Sequence, residues 1–242
     1  FAASGPAFSP ARTQEIKCAT DSSKSASFKT RFFVPRCLTR WTGSAVLKIL
    51  MKLSQVAAQL YTLRDHCQTA EALALTAMKV RAMGYTAVQL SAIGPIPEAE
   101  VVAIMNGEGL NICATHEPSQ QILDEPEKAV EHLQRLGCTL TAYPYPAGID
   151  FTSADHVKTL VRKLDAAGAI FREAGMTLGY HNHAIEFLKF EGAPVLEYIY
   201  ANTSPENLVS EIDTFWIHYG GGDVVEWVKK LAGRQPFIHL KD

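Results

Sequence analysis

Met176-Thr-Leu-Gly-Tyr-His-Asn-His-Ala-Ile-Glu-Phe187 is the stretch on which the reading of this chain turns. A short apolar run opens into a polar cluster, which is the form of a buried strand ending at a functional edge. Side chains alternate faces along an extended chain, so His181 and His183 point to the same side. Two imidazoles with Glu186 close behind begin a metal site or an acid–base site. A single pair of this kind equally suits a plain polar strand end. The weight comes from two later stretches of the same form, Leu208-Val-Ser-Glu-Ile-Asp213 and Pro236-Phe-Ile-His-Leu-Lys-Asp242. In each, an apolar run ends in Asp or His.

Working outward, strand-like runs alternate with amphipathic segments from Lys52 onward. Strands are expected over 55–63, 86–92, 111–116, 139–145, 176–181, 207–213 and 237–241. Helices are expected over 69–83, 97–105, 126–136, 153–174, 194–200 and 224–231. Gly84, Gly137 and Gly175 follow helices as stop signals, and Ser153 or Asp155 starts the longest one. A strand–helix unit repeated about every thirty residues builds a parallel sheet with right-handed crossovers. Two architectures compete, an open doubly wound sheet and a (β/α)8 barrel. The G-x-G-x-x-G turn of the dinucleotide-binding form is absent after the first strand. Polar residues instead recur where successive strands end: Arg64, His116, Tyr145, His181, Asp213 and His239. A barrel builds its site on that rim from several strands at once. The expected fold class is therefore α/β, a (β/α)8 TIM barrel, with seven strands visible and the chain ending after the seventh.

Composition sets the limits. Of 242 residues 47% are hydrophobic, enough for a sizeable core. The formal net charge of -2 divides into +6 over residues 1–50 and -8 over the remainder. An acidic body argues against broad nucleic-acid binding. Cys18, Cys37, Cys67, Cys113 and Cys138 are odd in number and include no C-x-x-C spacing. That pattern favours neither a disulfide framework nor a structural zinc site, and suits a reducing, cytoplasmic setting. No apolar run reaches the roughly 18 residues of a membrane span. Residues 1–50 are rich in Ser, Ala and Arg and lack periodicity. They read as a transit-peptide-like arm or as sequence upstream of a start at Met51, outside a barrel domain over 51–242.

Four stretches carry a resemblance. Gln59-Leu-Tyr-Thr-Leu-Arg-Asp65, Gly179-Tyr-His-Asn-His183 with Glu186-Phe187, Glu211-Ile-Asp-Thr-Phe-Trp216 and His239-Leu-Lys-Asp242 resemble the sugar phosphate isomerase/epimerase family. This xylose-isomerase-like barrel group includes inosose dehydratases and ketose 3-epimerases. The resemblance implies a divalent metal at the open end of the barrel, held by Glu, Asp, His and Glu from strands five to eight. Asp213 falls on the Asp position and His239 on the His position. At strand five the usual Glu-Asn-His is His181-Asn182-His183, so His181 stands in the place of the Glu, with Glu186 the nearest carboxylate. The strand-eight Glu has no counterpart in this sequence.

The expected metal ligands are thus Asp213, His239, His181 and Glu186, and the expected catalytic residues Glu186 and His181. His116, His183, Lys241, Arg64 and Trp216 are expected substrate contacts, with Gln59 and Tyr61 weaker candidates. Mixed nitrogen and oxygen donors suit Mn²⁺, Zn²⁺ or Co²⁺ above Mg²⁺. Isomerisation or epimerisation through an enediolate is the leading expectation, on a small sugar or keto-sugar, with neither nucleic acid nor membrane as partner and a homo-oligomer open. A lyase, dehydratase or keto-glycoside-cleaving enzyme is the first rival. A nuclease of the same superfamily is disfavoured because Trp216 stands where that group needs another His. An inactive or merely sugar-binding barrel fragment is the last. The Gly220-Gly-Gly222 run reads as a hinge or cap before a phosphate cradle.

Overall fold

The computed structural model describes residues 52–241. The expectations for residues 1–50 fall outside them. Seven parallel strands form one sheet: β1 (Ala58–Gln59), β2 (Ala87–Leu90), β3 (Asn111–His116), β4 (Leu140–Tyr143), β5 (Thr177–His181), β8 (Val209–Asp213) and β9 (Phe237–His239), adjacent in that order. A two-strand hairpin, β6 (Lys189–Phe190) with β7 (Ala193–Pro194), is inserted after β5. The helices are α1 (Ala70–Ala82), α2 (Glu98–Gly107), α3 (Ser119–Asp124), α4 (Pro126–Leu136), α5 (Ala154–Glu173), α6 (Val195–Ala201), α7 (Thr214–Tyr219) and α8 (Val224–Lys230).

The sheet is rolled. Five strand spacings separate β2 from β9, about 24 Å in a flat sheet. Yet the Gln89 side chain of β2 lies 2.7 Å from the His239 imidazole of β9. Only curling of the sheet into most of a barrel brings them together, so the polar rim expected from the strand ends closes on itself.

Alternation sorts the side chains. Leu178 and Tyr180 of β5 and Ile212 of β8 face outward into the layer between strands and helices. Gly179, His181, Glu211 and Asp213 take the other face. That outer layer is filled from the helix side by stripes such as Val157, Leu160, Val161, Leu164, Ala167 and Phe171 of α5, spaced three or four apart and all buried. Inside the barrel Gly179 leaves room for the Phe237 ring. A Cβ there would come within 2.7 Å of it.

Most expected elements form within a few residues of their expected bounds, and β3 and α4 match throughout. Three regions differ. Of residues 55–63 only Ala58–Gln59 pairs as strand, and Leu60–His66 is a 3-10 segment. There Leu60 is buried while the Thr62 hydroxyl donates to the Gln59 carbonyl and Arg64 to that of Tyr61, bonds that favour a turn over an extended ladder. The helices α3 and α7, six residues each, are too short to show periodicity. Among the described residues no helix is long and apolar enough to cross a membrane.

Candidate metal centre

Glu211 is the middle of the site. It points inward from β8, fully buried, and a lone carboxylate there needs partners to be tolerated. The rolled sheet supplies them from four strands. Gln89 donates its amide N–H to Oε1 at 2.7 Å, and His116 Nε2 donates to Oε2 at 2.6 Å. His239 Nε2 lies 3.1 Å from Oε1 and also bonds Gln89 Oε1 at 2.7 Å. Both oxygens are acceptors only, so that nitrogen carries its proton. His181 Nδ1 stands 3.3 Å from Oε2 yet makes no hydrogen bond. Ser91 pairs with the remaining His116 nitrogen at 3.0 Å and orients that ring.

The electrostatics follow from these contacts. Burial opposes ionisation of Glu211, but three imidazoles outweigh it and hold the carboxyl well below the usual range. Burial also opposes a charged His239, and the adjoining Asp213 and Glu211 carboxylates reverse the effect and push it up to about 9. His181 shifts the other way: burial wins and lowers it. His183, farther from the carboxylates, is pushed down to about 3 by burial and is neutral.

Asp213 has two roles at the end of β8. Its Oδ1 caps α7 by accepting the Trp216 N–H at 3.0 Å. Its Oδ2 faces His239 at 3.8 Å, His181 at 3.9 Å and Lys241 at 3.8 Å. Asn182 staples the two strand ends, accepting from the Asp213 N–H at 2.9 Å and reaching its carbonyl at 3.4 Å. His183 continues the rim beyond β5. Its ring lies 4.9 Å from that of His181 and 5.3 Å from Trp216.

Two expected residues lie apart from this group. Glu186 is fully buried on the outer side of β5, accepting from the Tyr180 hydroxyl and the His183 N–H, both at 2.9 Å. Burial pushes its carboxyl up to about 7. Arg64 lies over the Tyr61 ring, 4.5 Å from its centre, and bonds the Tyr61 carbonyl. The glycine run packs on Phe187: a Cβ on Gly220 or Gly222 would come within 2.5 or 2.4 Å of that ring.

Sequence reasoning passed over Glu211, Gln89 and Ser91. Glu211 carried a signal, since it stands two residues before Asp213 and so on the same face. One ligand atom each from His116, His181, Glu211 and His239 lie within 4.8 Å of one another. Three imidazoles and one carboxylate at that spacing fit a divalent transition metal.

Comparison with known proteins agrees with this architecture. An 85-residue segment, 35% of the chain, is 36% identical to inosose dehydratase from Geobacillus kaustophilus and spans 27% of that protein. The chain thus matches about a quarter of the length of this curated relative. A sugar phosphate isomerase/epimerase from Parabacteroides distasonis superposes with a TM-score of 0.69 at 22% identity, over 79% of this chain and 76% of that one. An L-ribulose 3-epimerase superposes with a TM-score of 0.62 at 14% identity, over 78% of this chain and 70% of that one. At these identities the superpositions speak to the fold alone. The profile of the family described as Xylose isomerase-like TIM barrel matches residues 77–242, and the chain belongs to that family.

Proposed function

We propose that this chain carries a metal-dependent carbohydrate isomerase or epimerase site acting beside a carbonyl. The observation that carries the reading is the cluster of His116, His181, Glu211 and His239 at the carboxyl ends of the barrel strands. These four residues would hold the cation, with Asp213 at its edge. Such a cation, when bound, serves as a Lewis acid that polarises a carbonyl oxygen. Mn²⁺, Zn²⁺ or Co²⁺ suits this donor set better than Mg²⁺, which favours oxygen ligands.

The chain's own residues supply the rest. Asp213 Oδ2 is the acceptor for a proton removed beside the carbonyl, because Oδ1 is already engaged with the Trp216 N–H. Lys241, 3.8 Å away, offers an N–H to an adjacent oxygen and can return a proton. His181 is buried between the two carboxylates, its Nδ1 3.3 Å from Glu211 and its Nε2 3.9 Å from Asp213. Glu186 acts from behind by fixing the turn that carries His183.

Dehydration is the second reading. It is favoured by a donor set with three imidazoles and a single carboxylate, and by the segment similar to an inosose dehydratase. Both reactions begin with proton removal beside a carbonyl and diverge in whether a hydroxyl then departs.

Metal content after incubation with Mn²⁺, Zn²⁺ and Co²⁺ tests the centre, and product analysis on free ketoses and keto-inositols tests the reaction. The expected result is stoichiometric metal in the parent protein and none in Glu211→Ala. A folded parent that takes up no metal would sink the metal-dependent reading. Loss of water from a keto-inositol without ketose isomerisation would select the second reaction over the first.

A further inference from the structure

A second polar group lies across the sheet from the metal centre. Residues paired in register share a face, and Thr115 pairs with Leu90 on one side and with Thr141, then Leu178, on the other. Leu90 and Leu178 both belong to the layer between strands and helices. Thr115 therefore faces that layer, while the next residue, His116, turns inward to Glu211. Beside Thr115 a cavity of about 540 Å³ is bounded by the loop 91–97, α2 and α4, the size of a small-molecule site. Its apolar wall comes from Leu90, Ile96, Val101 and Leu136, and its polar wall from Glu98, Glu117 and His132. The loop is fixed in place. The Gln68 amide donates to the Ala92 carbonyl and the Gly94 N–H to the Cys67 carbonyl, both at 2.9 Å. A Cβ on Gly94 would come within 2.0 Å of the Gln68 carbonyl oxygen.

The polar wall is short of donors. Glu117 is 2% exposed, and a carboxylate offers about four acceptor positions. His132 Nδ1 fills one of them, on Oε2 at 2.7 Å. The Thr115 hydroxyl reaches Oε1 at 2.8 Å, but it also reaches Thr141 Oγ1 at 2.9 Å and has one proton for both, because the Thr141 hydroxyl donates to the Thr115 carbonyl. Glu98 lies 4.0 Å from His132 Nε2, beyond a hydrogen bond, and Arg135 holds only its Oε1. Among the described residues no Lys or Arg lines the cavity. A buried carboxylate with too few donors is costly, and a ligand that brings N–H groups and positive charge relieves it best. The apolar wall calls for a hydrocarbon body on the same molecule.

We propose that this cavity binds an organic cation, a primary ammonium on an alkyl or aryl body, with Glu117 and Glu98 as its acceptors. The site is separate from the barrel interior and does not depend on the metal-centre reading.

Calorimetry and ligand-observed NMR on the full chain with benzylamine, benzyl alcohol and benzoate test it, since the three share one apolar body and differ in charge. Benzylamine is expected to bind about tenfold more tightly than benzyl alcohol, and benzoate not at all. Ile96→Trp, which fills the cavity from its half-buried wall, is expected to abolish benzylamine binding, and Glu98→Gln to weaken it several-fold. Glu117→Gln is expected to remove the preference for the amine over the alcohol; should that buried change unfold the chain, the other two variants decide. Glu211→Gln, outside the cavity, is expected to bind benzylamine as the parent does. Benzyl alcohol or benzoate binding as tightly as benzylamine, no binding of the amine, an affinity unchanged in either Ile96→Trp or Glu98→Gln, or a loss in Glu211→Gln would each overturn the proposal.

Discussion

Two charged side chains anchor opposite ends of the β8–β9 pair, and they are handled in opposite ways. Arg234, before β9, is saturated. Its guanidinium donates to the carbonyls of Tyr200, Thr203, Ser204 and Leu208 and to the Thr203 hydroxyl, at 2.6 to 3.3 Å, and covers the Tyr200 ring. Its own carbonyl accepts from the Ser210 N–H and hydroxyl. Glu211, one residue along β8, is over-subscribed: three imidazoles and an amide crowd two oxygens, and His181 Nδ1 is left without a hydrogen bond. A saturated charge holds a fold together and has nothing left to offer a ligand. An under-satisfied group of titratable side chains is the mark of a site awaiting one.

The sharpest way to break this contrast is to remove each charge. Arg234→Ala removes the guanidinium from four carbonyls at the base of the barrel, of which Ser204's keeps the Asn207 and Leu208 N–H groups. A stability loss of about 3 kcal/mol is expected, read from the urea unfolding midpoint. Glu211→Gln keeps the shape and removes the charge that three imidazoles compete for. Its stability loss is expected to be less than half as large, while metal uptake disappears. If Glu211→Gln unfolds the protein as readily as Arg234→Ala, the two ends do the same work and the contrast fails.

Glu186 sharpens the comparison from a third side, as a buried carboxyl with hydrogen bonds but no counter-charge. Its carboxyl is raised to about 7 in the folded chain against an ordinary 4.5. The folded state therefore holds the proton more tightly than the unfolded one. Stability from this group is fully present below about pH 4.5 and is lost as pH rises towards 7 and beyond. The loss is of the order of 3 kcal/mol by pH 8. Glu186→Gln should remove most of that slope, seen in urea unfolding at pH 5 and pH 8, because the amide keeps an acceptor without a titrating charge. An unchanged slope would mean that the pH dependence arises elsewhere.

These residues also mark how far the sequence could be read. The barrel was legible because periodicity is a property of whole segments: β3 and α4 are long and regular enough to declare themselves. The rim was legible because polar residues end apolar runs. Glu211 is harder to see than Asp213, because it lies inside the strand rather than at its polar end, although alternation puts both on one face. In the sequence Glu186 is the candidate base and metal ligand, as the carboxylate nearest the His181-Asn182-His183 triplet. Yet the turn at 182–187 sends its side chain to the outer face, against Tyr180. Nothing local distinguishes a carboxyl that faces substrate from one that is walled in; only the packed structure does. Residues 55–63 carry the apolar run of a strand, yet from Leu60 onward side-chain bonds to the backbone decide a 3-10 turn.

Asn182 provides the smallest and most discriminating test. It lies between the two histidines, and its amide spans the N–H and carbonyl of Asp213, so it joins the ends of β5 and β8 without touching the cluster around Glu211. Asn182→Ala removes one good hydrogen bond and one long one, and a stability loss of about 1 kcal/mol is expected. If the staple sets the separation of His181 and Asp213, metal affinity should fall by about tenfold, as it does when groups that orient ligands are lost elsewhere. Asn182→Asp keeps the acceptor for the Asp213 N–H and should recover part of the stability, but its new charge beside Asp213 should alter affinity in a salt-dependent way. Equal metal affinity in the parent and Asn182→Ala would show that the rolled sheet alone positions the ligands, and that the rim is as rigid as the Arg234 end despite its unsatisfied groups.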